Sequence, residues 1–443
     1  MNATAVTRTG ARLGYLLGLI LGVCGLGLSA AGIANPDIAA ALGVSKASTA
    51  WVVNCFALGL GVGTIVTGRL LDLVPRAGVL YVSAAVMLAG AAVCAAAGTF
   101  EVLLAGRVLL GIGAGGLCSF AFVLGSSGVA PEARSRVAGL MTATSVAFIG
   151  AGPLLGALSL AVANWRLAVA LPASAAVIAV AIGGGGDQEA RPPAAALDLA
   201  GILIVTVLAA CLAGALQSPG TSVGLALTVP LAAGTLAAAG ALAVHVRRRP
   251  DGFLPRELLL RRRLVALNLS SMTLLGAYAG MLYAGPQLLD AHTGIGTVAI
   301  GAALAPAALT ASYSAHLAGA ILLRRDPATM IGWLCVAGAL GLLVAGVAAA
   351  VPVIVVAATA VTASVFAAGQ VTMQVSAPVL VPAGQVGAAL GLFNFCFISG
   401  AAFGTSAAAG VSRAAGFTTA LVGLAAIPVL GALIAFRASP PSV

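Results

Sequence analysis

The feature that most limits this chain is a recurrence. Stretches of about 20 apolar residues, uncharged through their middles, follow one another from Leu13 to Phe436. A helix of that length crosses about 30 Å of hydrocarbon, where every backbone N–H and C=O needs a partner inside its own helix. Charged residues make up 7% of the 443 residues and hydrophobic ones 61%, against roughly a quarter charged in soluble domains. Lipid is therefore the solvent for most of the chain, and the fold class is an all-α polytopic membrane protein.

Hydropathy, with charge and Pro/Gly as punctuation, predicts fourteen spans near 13–34, 49–71, 78–98, 102–124, 137–160, 167–183, 199–217, 223–245, 264–287, 295–322, 329–349, 352–377, 385–409 and 417–436. The start, MNATAVTRTGAR, leads into a retained first span rather than a cleaved signal. An even count puts both termini on one side. Seventeen arginines, from Arg8 and Arg12 through the 247–249 and 261–263 triplets to Arg437, then share that side, with only Lys46, Arg166 and Arg413 opposite. Positive-inside bias makes it the cytoplasmic side. The net charge of +10 is thus a set of topological anchors and no nucleic-acid signal.

The polar stretches predict the organisation. Residues 1–184 form one six-helix bundle, 185–198 a flexible linker, 199–245 a two-helix insert, 246–263 a basic linker, and 264–443 a second six-helix bundle. Within the second linker, Pro255–Leu260 is amphipathic and suited to lying on the cytoplasmic leaflet. The seven cysteines all fall in apolar runs without C-x-x-C pairing and read as small core residues. There is no G-x-x-x-x-G-K-[ST] loop, no ligand cluster for a metal, and no nucleophile, base and orienter close together. No enzyme activity and no cofactor are expected, and membrane lipids are the expected surroundings.

GRLLDLVPRAG, Gly68–Gly78, concentrates scarce charge between two spans. Arg69 and Asp72 share a helical face, and Asp72 is also placed to approach the N-terminus of the following helix. Gly111 and Gly115 after Arg107, and Gly152 and Gly156 around Pro153, repeat at helical spacing and let backbones approach closely. Arg107 lies inside a span, where a charge is costly without a partner or a wet cavity. Proton coupling needs a tunable carboxylate, and near the membrane Asp37, Glu101 and Asp290 are available. Uncharged polar and aromatic side chains inside spans suit an amphiphilic organic solute: Asn54, Phe56, Phe120, Thr142, Thr144, Asn268, Ser271, Tyr278, Tyr283, Phe366, Gln370, Gln374, Phe393 and Asn394.

Several of these stretches resemble the major facilitator superfamily. Gly68, Arg69, Asp72 and Arg76 are similar to its loop signature, with Leu73, Pro75 and Ala77 departing from it. RVLLGIGAG, from Arg107, resembles its arginine-led glycine motif, and SVAFIGAGPLLGAL, containing Gly150, Gly152, Pro153 and Gly156, its exporter motif. NWR at 164–166, GAALAPAAL at 301–309 and GAALGLFNFCFISGAAFG at 387–404 extend the resemblance along the chain, toward the fourteen-helix drug:proton antiporters. The resemblance implies two six-helix bundles rocking around a central cavity, a gating role for the 68–76 loop, and proton coupling through Arg107 with an acid. At the family's usual first-helix aspartate this chain has Gly27, which leaves Asp37 or Asp290 for that role. The implied function is proton-coupled export of a hydrophobic or amphiphilic compound, a drug or antibiotic. An uptake or lipid-moving carrier on the same scaffold, or a non-transporting sensor, stands as the alternative.

Overall fold

The computed structural model describes residues 3–45, 48–183, 198–217, 224–250, 252–294, 297–321 and 326–439; the expected 185–197 linker, the 218–222 break and Lys46 lie outside them. The described residues form helices and turns only. In chain order these are α1 (Ala3–Ser29), α2 (Asn35–Leu42), α3 (Ala50–Leu73), α4 (Arg76–Ala96), α5 (Phe100–Ser127), α6 (Pro131–Gly150), α7 (Gly152–Val162), α8 (Trp165–Ala170), α9 (Ser174–Gly183), α10 (Leu199–Gln217), α11 (Gly224–Arg248), α12 (Arg256–Leu260), α13 (Arg262–Thr293), α14 (Thr297–Ile321), α15 (Pro327–Val347), α16 (Pro352–Leu380) and α17 (Val386–Ala438).

Local chemistry sets many of the boundaries. Thr99, Asn164 and Asp326 cap α5, α8 and α15 by accepting from backbone N–H groups one turn on. Pro131, Pro327 and Pro352 open helices, where the missing N–H is harmless. Gly43 and Gly294, at φ 66° and 61°, close α2 and α13 in the left-handed conformation. Between α6 and the part of α7 after Pro153 the direction changes by 49°, so the fifth expected span, 137–160, is bent there.

Among the described residues ten helices are long and apolar enough to cross a membrane, eleven if the bent α6–α7 pair counts as one span, against the fourteen expected. Helix α10 runs 19 residues, Leu199–Gln217, almost all of them apolar. In α14, Thr297–Ile321, four hydroxyl side chains and His316 interrupt the apolar residues. Helix α17 runs 53 residues, far beyond one bilayer crossing, with Gly416 at φ 82° in its middle. Gly400 packs on Met272 and Gly431 on Thr273, adjacent residues of α13, so the chain doubles back at Gly416.

Two bodies of helices result. In the N-terminal one α1 packs on α6 while α3 and α4 pack on α5; in the C-terminal one α13 and α15 pack on α17 and α14 on α16. The bodies meet through α3 with α17 and α6 with α14. The α10–α11 hairpin attaches by α10, which touches both α3 and α17. The amphipathic segment corrects the surface reading given to Pro255–Leu260. Phe253, Leu254 and Leu258 are buried in the protein core with Leu264, and Leu260 alone of the segment's leucines is exposed. Its apolar face found protein rather than lipid.

Candidate functional site

Three polar constellations stand out in this oily interior, and the first lies where α3 meets α17. The α3 and α17 backbones touch through glycines: a methyl on Gly68 would sit 2.5 Å from the Gly387 carbonyl oxygen and 2.7 Å from Gly391 Cα. That proximity delivers Asp72 to the start of α17, where Gly387 and Ala388 each donate a backbone N–H to its carboxylate at 2.8 Å. These N–H groups belong to the first turn of the helix, lack intrahelical acceptors and carry the positive end of its dipole. Arg69 lies 3.7 Å from the same carboxylate and donates to the Gly384 carbonyl at 3.2 Å. Arg76 donates to the Ser127 hydroxyl at 2.9 Å. Asp72 therefore caps α17, more than 300 residues away, and not the adjacent helix α4 that sequence proximity suggested.

The second constellation surrounds Arg107, the eighth residue of α5, which is fully buried. Its Nε donates to the Val52 carbonyl at 2.7 Å, one Nη to Val169 at 3.4 Å and the other to Gly27. The guanidinium carbon stands 4.5 Å from the centre of the Phe56 ring, a cation–π contact. Gly27 explains the arrangement. A Cβ there would lie within 2.6 Å of ring carbons of Phe56, so that ring fills the space an acid at position 27 would need. Glycines make the contact possible, since Gly111 and Gly115 of α5 lie against the α3 backbone at Phe56 and Leu60. Likewise Gly152 and Gly156 face Ser29 and Ala30 at the end of α1.

The third runs between the two bodies. The Gln374 amide of α16 donates to the Thr142 hydroxyl of α6 at 3.4 Å. Tyr278 stacks on Phe366 at 5.2 Å, Phe366 on Phe397 at 5.4 Å, and Phe397 meets Phe393 at 5.0 Å, an aromatic series in the C-terminal body. Gln370 is buried one turn from both Phe366 and Gln374, whereas the Asn394 amide turns back to Leu390 of its own helix. Other expected residues stand apart. Tyr283 lies 6.4 Å from Phe417 near the Gly416 turn, Phe120 is in the N-terminal core, and Asn54 is half-buried on α3. Asp37 and Asp290 are both exposed near helix ends.

One buried acid escaped the sequence reading. Asp198 accepts from His245 Nε2 at 2.6 Å, Gly201 N at 3.0 Å and Phe253 N at 3.1 Å, with Arg249 at 3.9 Å, which ties α10 to α11 and to the chain entering α12. Its only sequence signal was an aspartate just before an apolar run, the mark of a helix cap.

The comparisons agree with this geometry. Residues 17–405 match the Major Facilitator Superfamily. An uncharacterised MFS-type transporter of Mycobacterium tuberculosis is 34% identical over 229 residues, 51% of this chain and 33% of that relative. The multidrug resistance protein B homolog of the same organism is 27% identical over 71% of this chain and 60% of its own, and the chloramphenicol resistance protein of Streptomyces lividans 29% identical over 49% and 58%. The chain thus spans from a third to three fifths of the length of these curated relatives. Among solved structures, the human organic anion transporter MFSD10 superposes over 98% of this chain and 100% of its own with a TM-score of 0.67 at 17% identity, a likeness of fold. The chain belongs to the Major Facilitator Superfamily and is a multi-pass helical membrane protein.

Proposed function

We propose that this protein is a secondary active exporter of hydrophobic or amphiphilic small molecules, driven by proton influx and working by alternating access as a monomer in a bacterial plasma membrane. The observation that carries the reading is the Asp72 cap on α17. It joins the two bodies through two hydrogen bonds to backbone N–H groups that water can satisfy equally well once the joint opens. With the termini cytoplasmic, as the arginine distribution favours, this joint closes the cytoplasmic side. The cavity then opens outward, and release of Asp72 admits solute from the cytoplasm or inner leaflet. Relatives named for multidrug and chloramphenicol resistance support an organic, lipophilic cargo.

Protons enter by a different group. Arg107 holds carbonyls and an aromatic face, so it is a fixed element, and the coupling acid is Asp37 or Asp290 at the outward-facing end. The test is solute-driven proton movement in inside-out vesicles offered a panel of lipophilic dyes and antibiotics, with Asp37→Asn and Asp290→Asn compared. Loss of coupling in one variant, with its solute binding intact, identifies the carrier. Proton-independent flux in the unmodified protein overturns antiport, and absence of any solute flux overturns export.

A further inference from the structure

We infer that the protein selects its cargo by charge, taking neutral and anionic aromatic amphiphiles and rejecting cationic ones, with Arg107 setting the sign. The inference rests on the export reading and adds the chemical class of its substrate.

Among the described residues, carboxylates on or capping the spanning helices lie at their ends: Asp37, Glu101, Glu132 and Asp290 are exposed, Asp72 is engaged with α17, Asp198 with His245, and Asp326 with Arg263. Arg107 lies about 10 Å further along α5 than its first residue and is 0% exposed. All its partners are neutral, namely three carbonyls and one ring. Those dipoles hold the guanidinium without cancelling its charge, and in a low-dielectric interior an uncancelled charge acts well beyond contact distance.

A polar receiving site lies within its reach. Helices α13 and α16 run antiparallel, since Tyr278 meets Phe366, Leu274 meets Gly369 and Gly285 meets Thr359. That register places Asn268 and Ser271 level with Gln374. All three are buried, and both side-chain atoms of Asn268, the Ser271 hydroxyl and the Gln374 carbonyl oxygen have no hydrogen-bond partner. Buried polar groups left unpaired are costly and point to an occupant. On α13 the spacing 268, 271, 278 forms one stripe ending in the stacked Tyr278, so the site offers hydrogen bonds at one end and aromatic faces at the other. Its side chains, Asn268, Ser271, Gln374 and Thr142, carry no formal charge.

The relative levels follow from α1, which packs at Gly18 on Met141 and Thr144 and at Gly27 on Phe56 beside Arg107. Nine residues of helix separate them, about 14 Å. A solute with an aromatic body and a neutral or anionic head fits the site in a favourable potential, whereas a cation meets Arg107 with no acid to offset it.

The test uses one skeleton with three heads: pyrenebutyrate, pyrenebutanol and pyrenebutyltrimethylammonium, bound to the protein in phosphatidylcholine nanodiscs and corrected for empty discs. The butyrate and the alcohol are expected to bind at least tenfold more tightly than the ammonium probe. Gln374→Glu, which adds an acid beside the site, is expected to remove or invert that ratio, and Arg107→Gln to narrow it. Equal or tighter binding of the ammonium probe to the unmodified protein, or binding of no probe above empty discs, overturns the inference. The two readings fail separately. Coupled export of the ammonium probe leaves export standing and charge selection refuted, whereas anion-preferring binding without flux of any solute leaves the site standing and refutes export.

Discussion

Asp72 and Arg107 are both buried charges, and both are held chiefly by backbone, yet they do opposite things with it. Asp72 takes N–H groups that a helix start leaves unpaired in any case, and it takes them from the other body. Arg107 takes carbonyls from α1, α3 and α8, all in its own body, and adds an aromatic face. The first arrangement is cheap to open, because water satisfies both sides afterwards. The second is not, because the arginine has no solvent to retreat to. One charge therefore marks a joint and the other a fixed point, and this contrast can be broken by substitution.

The largest effect is expected at the fixed point. Arg107→Ala leaves a cavity and three carbonyls without their donor, and should lower stability by about 3–5 kcal/mol. The thermal unfolding midpoint of the purified protein checks this. Arg107→Lys keeps the charge but not the planar fork and should fall between. An alanine variant as stable as the parent would reduce Arg107 to a bystander.

Next comes the joint. Asp72→Asn keeps an acceptor but loses the charge, and hydrogen bonds to a charged group are worth about 1.5–3 kcal/mol. The equilibrium between closed and open joint should shift about 30-fold toward open, read from spin-label distances between Gly78→Cys and Pro382→Cys. The unfolding midpoint should change far less than for Arg107→Ala. Gly68→Ala tests the same joint without touching charge. Its methyl would meet the Gly387 carbonyl and Gly391 Cα, backbone atoms that cannot swing aside, so the shift has the same direction and a size of about 1–2 kcal/mol. An unchanged distance distribution in both variants would remove the joint from the transport cycle.

Sequence made the joint half legible and the fixed point less so. The charge concentrated at 68–76 and the glycines of 387–404 were each visible as separate patterns, because both rest on local spacing. That Asp72 caps α17 depends on two helices more than 300 residues apart being neighbours, which no local spacing records. Gly27 was visible as a departure and Phe56 as a candidate cavity aromatic, but that the Phe56 ring fills the space beside Gly27 and faces Arg107 was not, since it depends on α1, α3 and α5 being neighbours. The Asn268, Ser271 and Gln374 level needed the α13–α16 register, a tertiary fact. The fourteen spans expected from hydropathy and the ten or eleven among the described residues differ where polar side chains interrupt α14 and where α17 folds back at Gly416 without a polar loop.

Asp198 sharpens the contrast with a third arrangement, a buried acid holding one hairpin together. Burial pushes its carboxyl up, but the hydrogen bond from His245 and those from Gly201 and Phe253 outweigh it and hold the group below the usual carboxylate range. A carboxylate whose folded pKa is depressed contributes its stability above the unfolded value, about 3.9, and loses it as pH falls through the lower folded value. The α10–α11 junction should therefore keep Asp198 ionised at pH 5 and above. Asp198→Asn should loosen it by about 1–2 kcal/mol there, seen as faster amide exchange at the start of α10 and the end of α11. That difference should fade only as the pH drops below about 4. Since neither Asp72 nor Arg107 contacts this cluster, spin-label distances across the joint should stay as in the parent; movement there would mean that the hairpin, which touches both α3 and α17, is part of the gate.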